Sequence, residues 1–227
     1  MVEATYPTPT VTVDLVIFAL VDEVLQVLLM QRGAEPFAGA WALPGGYIHT
    51  DEDTDIEAAA RRVLMDKTAV ETPYLEQVQT FGGRARDPRG WTVSVAYMAL
   101  ISANDLTPRH GANAAGVAWW PVEDEMPPLA FDHAAILDTA AARLRGKVEY
   151  TTLPIHLLPA RFTLPDLQLL YERILGRKMD KSAFRKRIAE ADFLEPIPGE
   201  KRAASNRPAQ YYRVKPGRAT LFFDRTI

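Results

Sequence analysis

Residues 41–69 read Trp41-Ala42-Leu43-Pro44-Gly45-Gly46-Tyr47-Ile48-His49-Thr50-Asp51-Glu52-Asp53-Thr54-Asp55-Ile56-Glu57-Ala58-Ala59-Ala60-Arg61-Arg62-Val63-Leu64-Met65-Asp66-Lys67-Thr68-Ala69. The paired glycines before Tyr47 and Ile48 predict a tight backbone turn, because glycine reaches conformations that other residues avoid. A helix follows. Asp53 or Thr54 is expected to cap it, Asp55 and Glu57 suit its positive N-terminal end, and Ile56, Ala59, Ala60, Val63 and Leu64 recur at helical spacing until about Lys67. Upstream, residues 10–20 and 24–31 are β-branched and apolar around Val21-Asp22-Glu23, which predicts two strands joined by a short turn. Downstream, strands are expected at 75–81, 92–101 and 117–121 and a helix at 133–146. Strands and helices in this order predict an α/β or α+β half with its sheet held between helices.

The 227 residues are 48% hydrophobic and 24% charged with no cysteine, which excludes a disulfide-stapled miniprotein, a thiolate metal site and a chain too polar to fold. The apolar run at 11–20 is interrupted by Asp14, has no basic segment before it and no small-residue cleavage pattern after it. No signal peptide is expected, and no stretch approaches the roughly 18 apolar residues that span a bilayer. A cytoplasmic location with no membrane partner is therefore the expectation.

The net charge of −3 conceals a division. Residues 1–146 hold 10 Lys and Arg against 20 Asp and Glu, and residues 147–227 hold 16 against 9. An acidic module is joined to a basic one. Such asymmetry points to a nucleic-acid partner for the basic half, or to halves that attract each other. In that half, Thr163 fits a helix cap with Pro165 in the first turn; Leu167, Leu170, Tyr171 and Ile174 line one face, and Gly176 ends the helix. Asp180 is placed to cap a second short helix, with Phe184 and Ile188 toward the core. Residues 193–197 and 210–214 read as a hairpin with a long basic tip. Helix, turn, helix and hairpin make a winged helix. Lys181, Ser182, Arg185, Lys186 and Arg187 form the groove-facing stripe, and Lys201, Arg202, Ser205, Asn206 and Arg207 form the tip, so these are the candidate DNA contacts.

The segment from Gly45 to Val70 resembles the Nudix box, the loop-helix-loop signature of hydrolases acting on nucleoside diphosphates linked to another group. In that family the box reads G-x5-E-x7-R-E-U-x-E-E-x-G-U, with U aliphatic, and its glutamates hold Mg²⁺ against a pyrophosphate. Aligning Arg62 with the family arginine puts Val63 and Lys67 at two of the three core carboxylate positions and Asp66 at the third. The loop is two residues longer than the pattern, and Ala69 replaces the final glycine. The resemblance thus implies a Nudix-like α/β/α sandwich whose metal-dependent hydrolysis is lost or feeble, with no metal or cofactor. A lysine beside the metal position would repel Mg²⁺ and can itself pair with phosphate.

The Asp87-Pro88-Arg89-Gly90-Trp91 turn and Leu129-Ala130-Phe131-Asp132-His133 are similar to segments of Nudix proteins that take ADP-ribose. With the C-terminal half, nearly the whole chain resembles the Nudix-related transcriptional regulators of bacterial NAD metabolism. Members are homodimers that bind a palindromic operator and sense ADP-ribose or a related metabolite; relatives of the same architecture respond to sugar-pathway metabolites. The resemblance implies domains at 1–146 and 147–227, and an effector site of Arg32, Trp41, Gly46, Arg62, Asp66, Lys67, Phe81, Arg84 and Arg86. One alternative is an active Mg²⁺-dependent ADP-ribose pyrophosphatase, motivated by Glu52, Asp53, Asp55, Glu57 and Asp66 near the box. Another is an RNA or protein adaptor. His49, His110, His133 and His156 are scattered without ligand spacing.

Overall fold

A computed structural model describes residues 8–69, 74–105, 114–203, 208–218 and 220–223. The N-terminal half is a sheet of β1 (Thr10–Val21), β2 (Val24–Arg32), β3 (Trp41–Ala42), β4 (Gly45–Tyr47), β5 (Tyr74–Gly83), β6 (Thr92–Leu100) and β7 (Ala114–Pro121) with helices α1 (Ile56–Thr68) and α2 (His133–Val148). The main path runs β3-β2-β1-β6-β5, with β4 added to β1 and β7 to β2. β1 lies parallel to β6 and antiparallel to β2. Central and buried on both faces, β1 is apolar almost throughout rather than alternating. Its Val13, Leu15 and Ile17 pack with Ala59, Ala60, Val63 and Leu64 of α1. Val16 and Phe18 face the other way, toward Ile136, Leu137, Ala140 and Leu144 of α2. The period of two along one strand thus places a helix on each face.

The C-terminal half comprises β8 (Phe162–Thr163), α3 (Leu164–Leu175), α4 (Lys181–Ala191), β9 (Leu194–Arg202) and β10 (Ala209–Val214), its three strands ordered β8-β10-β9. Thr163 caps α3 in a reciprocal capping box with Asp166, and Gly176 ends it at a left-handed φ of 66°. Asp180 caps α4 by accepting from Ala183 N. Leu167, Leu170, Tyr171 and Ile174 are buried, and they join the cluster that holds Val16 and Phe18. One hydrophobic core therefore runs from the first sheet through α2 into the winged helix. No helix among the described residues is long and apolar enough to cross a membrane.

Several expectations are corrected. Gly45 and Gly46 sit in β4, paired with Asp14 and Val13, rather than in a turn. They are glycines because a Cβ on Gly45 would lie 2.3 Å from Asp14 Oδ1 and one on Gly46 2.9 Å from Val63 Cγ2. Asp55, rather than Asp53 or Thr54, caps α1, accepting from Ala58 N. The helix expected over 133–146 continues to Val148. Lys201 and Arg202 lie in β9 rather than at a loop tip, because the strand extends through residue 202. β8 was not expected, being too short to carry a periodic pattern. Ser205, Asn206, Arg207 and His110 lie outside the described residues.

The connection between the halves is itself interior. Residues 151–158 are all buried, and the C-terminal segment returns to pair with them. Thr152 N donates to Leu221 O, Leu221 N to Thr152 Oγ1 and Phe223 N to Tyr150 O, at 3.0, 2.8 and 2.8 Å. Here His156 stacks near Tyr74, and its Nε2 lies 3.2 Å from Thr220 Oγ1. Burial pushes its imidazole down from 6.5 to about 4. The folded chain thus favours the neutral ring, so this contribution is complete above the unfolded value, falls as the pH drops toward 4, and amounts to ~3 kcal/mol. Urea unfolding at pH 7 and pH 4.5 should show an acid loss in the wild type that is smaller in His156→Gln by a large part of that amount.

Candidate functional site

A cleft of about 800 Å³ opens where the ends of β2, β4 and α1 meet the 86–89 turn and the start of α2. Its lining includes Arg32, Gly46, Arg62, Asp66, Lys67 and Arg86 from the expected effector set. The closeness of β4 to β1 and α1, enforced by the two glycines, opens the floor of the cleft to the backbone. Gly45→Ala should therefore cost about 2 kcal/mol through overpacking against Asp14 and the Val13 carbonyl. A thermal melt with an unchanged midpoint would contradict this reading of the floor.

Three expected residues are not part of that lining. Trp41 packs edge-on against Trp120 at 5.6 Å, Phe81 packs against the core, and Arg84 sits exposed on a bend. Conversely, the structure brings in Asp14, Tyr47, Asp87, Arg89, Phe131 and His133. Arg89, Phe131 and His133 lie in the two ADP-ribose-like segments quoted above; Asp14, within an apolar strand, was visible as an anomaly only.

Most of the charge in the cleft is internally matched. Arg62 makes a forked pair with Asp53 at 2.8 Å through each nitrogen. That hydrogen bond holds the Asp53 carboxyl down at about 2, and Arg62 also donates to Tyr47 O. Asp53 is the partner of the box arginine, a pairing across nine residues that the sequence left hidden. Arg86 forks onto Asp132 at 2.9 Å twice and reaches Asp14 at 3.4 Å. Arg89 pairs with Asp87 and donates to Tyr47 Oη. Beneath them Leu43 N donates to His133 Nδ1 at 2.9 Å, which leaves the ring proton on Nε2, 3.6 Å from Asp14 Oδ1. Burial pushes the His133 imidazole below its ordinary value, so the ring is neutral in that tautomer.

Arg32 differs. Its Nε donates to Pro36 O at 2.8 Å, and its guanidinium lies 4.7 Å over the Phe131 ring, which Phe37 meets edge-on. Backbone carbonyls and an aromatic face hold it, with no salt-bridged carboxylate among the described residues. Lys67, half-buried in the wall, has no hydrogen bond or ion pair among the described residues.

The acids near the box are spent elsewhere. Glu52 pairs with His49, Glu57 with Arg61, and Asp55 caps α1. Asp66 is largely exposed, 3.9 Å from Arg62. Among the described residues no group of three or more His, Asp or Glu converges as a metal site would need. This donor set does not fit the Mg²⁺ that the box implies.

In the winged helix, Phe184 and Ile188 are buried while Lys181, Ser182, Arg185 and Lys186 are exposed and Arg187 is half-buried. The exposed face of α4 is therefore cationic, and Lys186 makes a loose pair with Glu190 at 3.9 Å. Lys201 is exposed on β9. Arg202 reaches back to Asp166 at 2.8 Å and to Thr163 Oγ1 at 3.2 Å, bracing the wing against the cap of α3.

Family models match both halves: the NUDIX domain over residues 9–140 and the NrtR DNA-binding winged helix domain over residues 154–214. Fold and cleft thus define a Nudix domain followed by a winged helix. Over 211 residues the chain is 44% identical to the ADPR responsive transcriptional repressor NtrR of Acinetobacter baylyi, covering 92% of this chain and 83% of that protein. The crystal structure of Shewanella oneidensis NrtR complexed with a 27mer DNA matches with a TM-score of 0.86 at 40% identity, covering 96% of this chain and 99% of that one. The NUDIX domain of the same protein complexed with ADP ribose matches with a TM-score of 0.57 at 44% identity, covering 61% and 90%. The chain belongs to the NrtR family of Nudix-related regulators.

Proposed function

We propose that this chain is a cytoplasmic, ADP-ribose-responsive transcriptional repressor of NAD-metabolism genes. The observation that carries the reading is that an arginine-lined cleft and a basic helix α4 share one core, in a chain 44% identical to an ADP-ribose-responsive repressor. Residues 1–146 supply the sensor and residues 147–227 the DNA-binding part. ADP-ribose occupies the cleft, whose lining includes Arg32, Gly46, Arg62, Asp66, Lys67 and Arg86. Lys181, Ser182, Arg185, Lys186 and Arg187 of α4 face the major groove, with Lys201 and the wing on the flanking phosphates. A homodimer presents two such helices about one helical turn, roughly 34 Å, apart, which matches a palindromic operator.

The route between the sites is short. α2 begins at the cleft with His133 and packs its body against α3. A ligand that favours one setting of α2 lowers operator affinity by the amount its own affinity differs between free and DNA-bound protein. The test is fluorescence anisotropy on DNA from upstream of NAD-synthesis genes at fixed salt. Tight binding released by ADP-ribose is expected; binding indifferent to it, with release by a sugar phosphate, would replace the effector.

The same reading makes hydrolysis negligible, because Val63 and Lys67 stand at two carboxylate positions of the box and the neighbouring acids are already paired. ADP-ribose incubated with Mg²⁺ should yield AMP at background. AMP release abolished by Asp66→Ala would make the chain a pyrophosphatase.

A further inference from the structure

Five Arg and Lys side chains line the cleft: Arg32, Arg62, Lys67, Arg86 and Arg89. Three of them hold a carboxylate at close range, Arg62 with Asp53, Arg86 with Asp132 and Asp14, and Arg89 with Asp87. For an incoming anion these three are already neutralised, and taking one would strand its buried or half-buried acid. Arg32 and Lys67 are the remainder. Arg32 spends its donors on the Pro36 and Ala34 carbonyls, which orient the guanidinium without cancelling its charge. Lys67 spends none among the described residues. The titration of Arg32, Arg62 and Arg89 follows the same division. Carboxylate partners hold Arg62 and Arg89 above the ordinary value, whereas burial, followed by the repulsion of Arg89, pushes Arg32 below it. Asp87, Tyr47 and Glu35 offset part of that shift from a distance, and an anion in the cleft would give Arg32 the direct anionic partner it lacks among the described residues.

We infer that Arg32 and Lys67 together form the diphosphate subsite of the cleft, with the Lys67 ammonium supplying the charge that a divalent cation supplies elsewhere, so that ligand binding needs no metal. This rests on the reading of the cleft as an ADP-ribose site and adds to it which cations act and that Mg²⁺ does not. Each phosphate of the bridging group carries a negative charge. A fixed planar fork suits one, and a compact, mobile ammonium on the last turn of α1 suits the other. The lack of a convergent acid cluster follows from the same design, since a lysine at that place would repel the ion such a cluster gathers. A sensor built so reads the metabolite independently of free Mg²⁺.

The test is isothermal titration of the full chain with ADP-ribose, and separately with inorganic pyrophosphate, in excess EDTA and in millimolar Mg²⁺. The wild type is expected to bind ADP-ribose equally in both buffers. Lys67→Gln and Arg32→Gln should each weaken binding about tenfold or more, the loss of one charge-assisted contact. Lys67→Arg should restore most of the affinity. Arg61→Gln, on the same helix but outside the cleft, should bind as the wild type does. Wild-type binding that requires Mg²⁺, or Lys67→Gln binding at full strength, would overturn the inference. Pyrophosphate bound through Lys67 without any ADP-ribose binding would remove the ADP-ribose reading and keep the subsite; binding of neither would remove both.

Discussion

Tyr171→Ala is expected to destabilise the whole chain by about 4 kcal/mol, a large share of the 5–15 kcal/mol that a typical domain possesses. Tyr171 is fully buried on α3, meets Phe184 edge-on at 5.5 Å and donates its hydroxyl to Thr151 O at 2.7 Å. Truncation removes the ring and strands the carbonyl in one step. Tyr171→Phe separates the two effects, because it keeps the ring and should cost only about 1–2 kcal/mol for the orphaned acceptor. All four tryptophans lie in the N-terminal half, at positions 41, 91, 119 and 120, so their fluorescence reports on the opposite half from the substitution. The shared core predicts that the tryptophan transition in urea shifts with Tyr171→Ala as far as the helical circular-dichroism signal does. A tryptophan transition left in place would mean that the halves unfold separately and that the contact through α2 carries little energy.

The second large effect is on DNA. Replacing Lys181, Arg185 and Lys186 together by alanine should weaken operator binding by about a thousandfold, roughly 1–2 kcal/mol for each lost contact. Because those losses are counterion-linked, the slope of log affinity against log salt should become shallower by about 3. Folding should be unaffected, since all three side chains are exposed. Equal affinity with an unchanged slope would remove α4 from the interface. A changed slope on every sequence, with the preference for the operator intact, would make these three residues phosphate contacts and leave base reading to Ser182 and Arg187.

Local chemistry is legible in the sequence itself. The Thr163 and Asp180 caps, the Gly176 stop and the Leu167, Leu170, Tyr171, Ile174 face depend on residues within a turn or two of one another, and periodicity carries that information. What escaped depends on partners brought together by the sheet. Asp53 looked like a cap because it precedes the helix, yet Arg62 claims it from nine residues away. Arg86 belongs to the expected effector set, yet Asp132, 46 residues on, occupies its fork. Trp41 and Phe81 belong to the expected effector set but pack elsewhere, because aromatic rings serve cores and ligands alike, and only packing decides between them. The glycines were recognised as a constraint but assigned the wrong one: Gly45 is required by its neighbour's carboxylate, not by its own φ. Sequence therefore identified the class of site well and the free charges within it poorly, since neutralisation is a property of pairs.

The return of the C-terminal segment onto residues 150–152 bears on how such proteins can be recombined. A winged helix cut out at β8 and grafted onto another sensor would leave behind the interior strip that its own tail binds, and with it the Tyr171 acceptor on Thr151. A workable transplant has to carry the strip from Tyr150 to Leu158 and the tail to Phe223 as one piece, together with a helix offering the α2 surface. The two halves are less like beads on a string than like a drawer and its cabinet, and new sensors for this DNA reader are better obtained by recarving the cleft than by exchanging the domain.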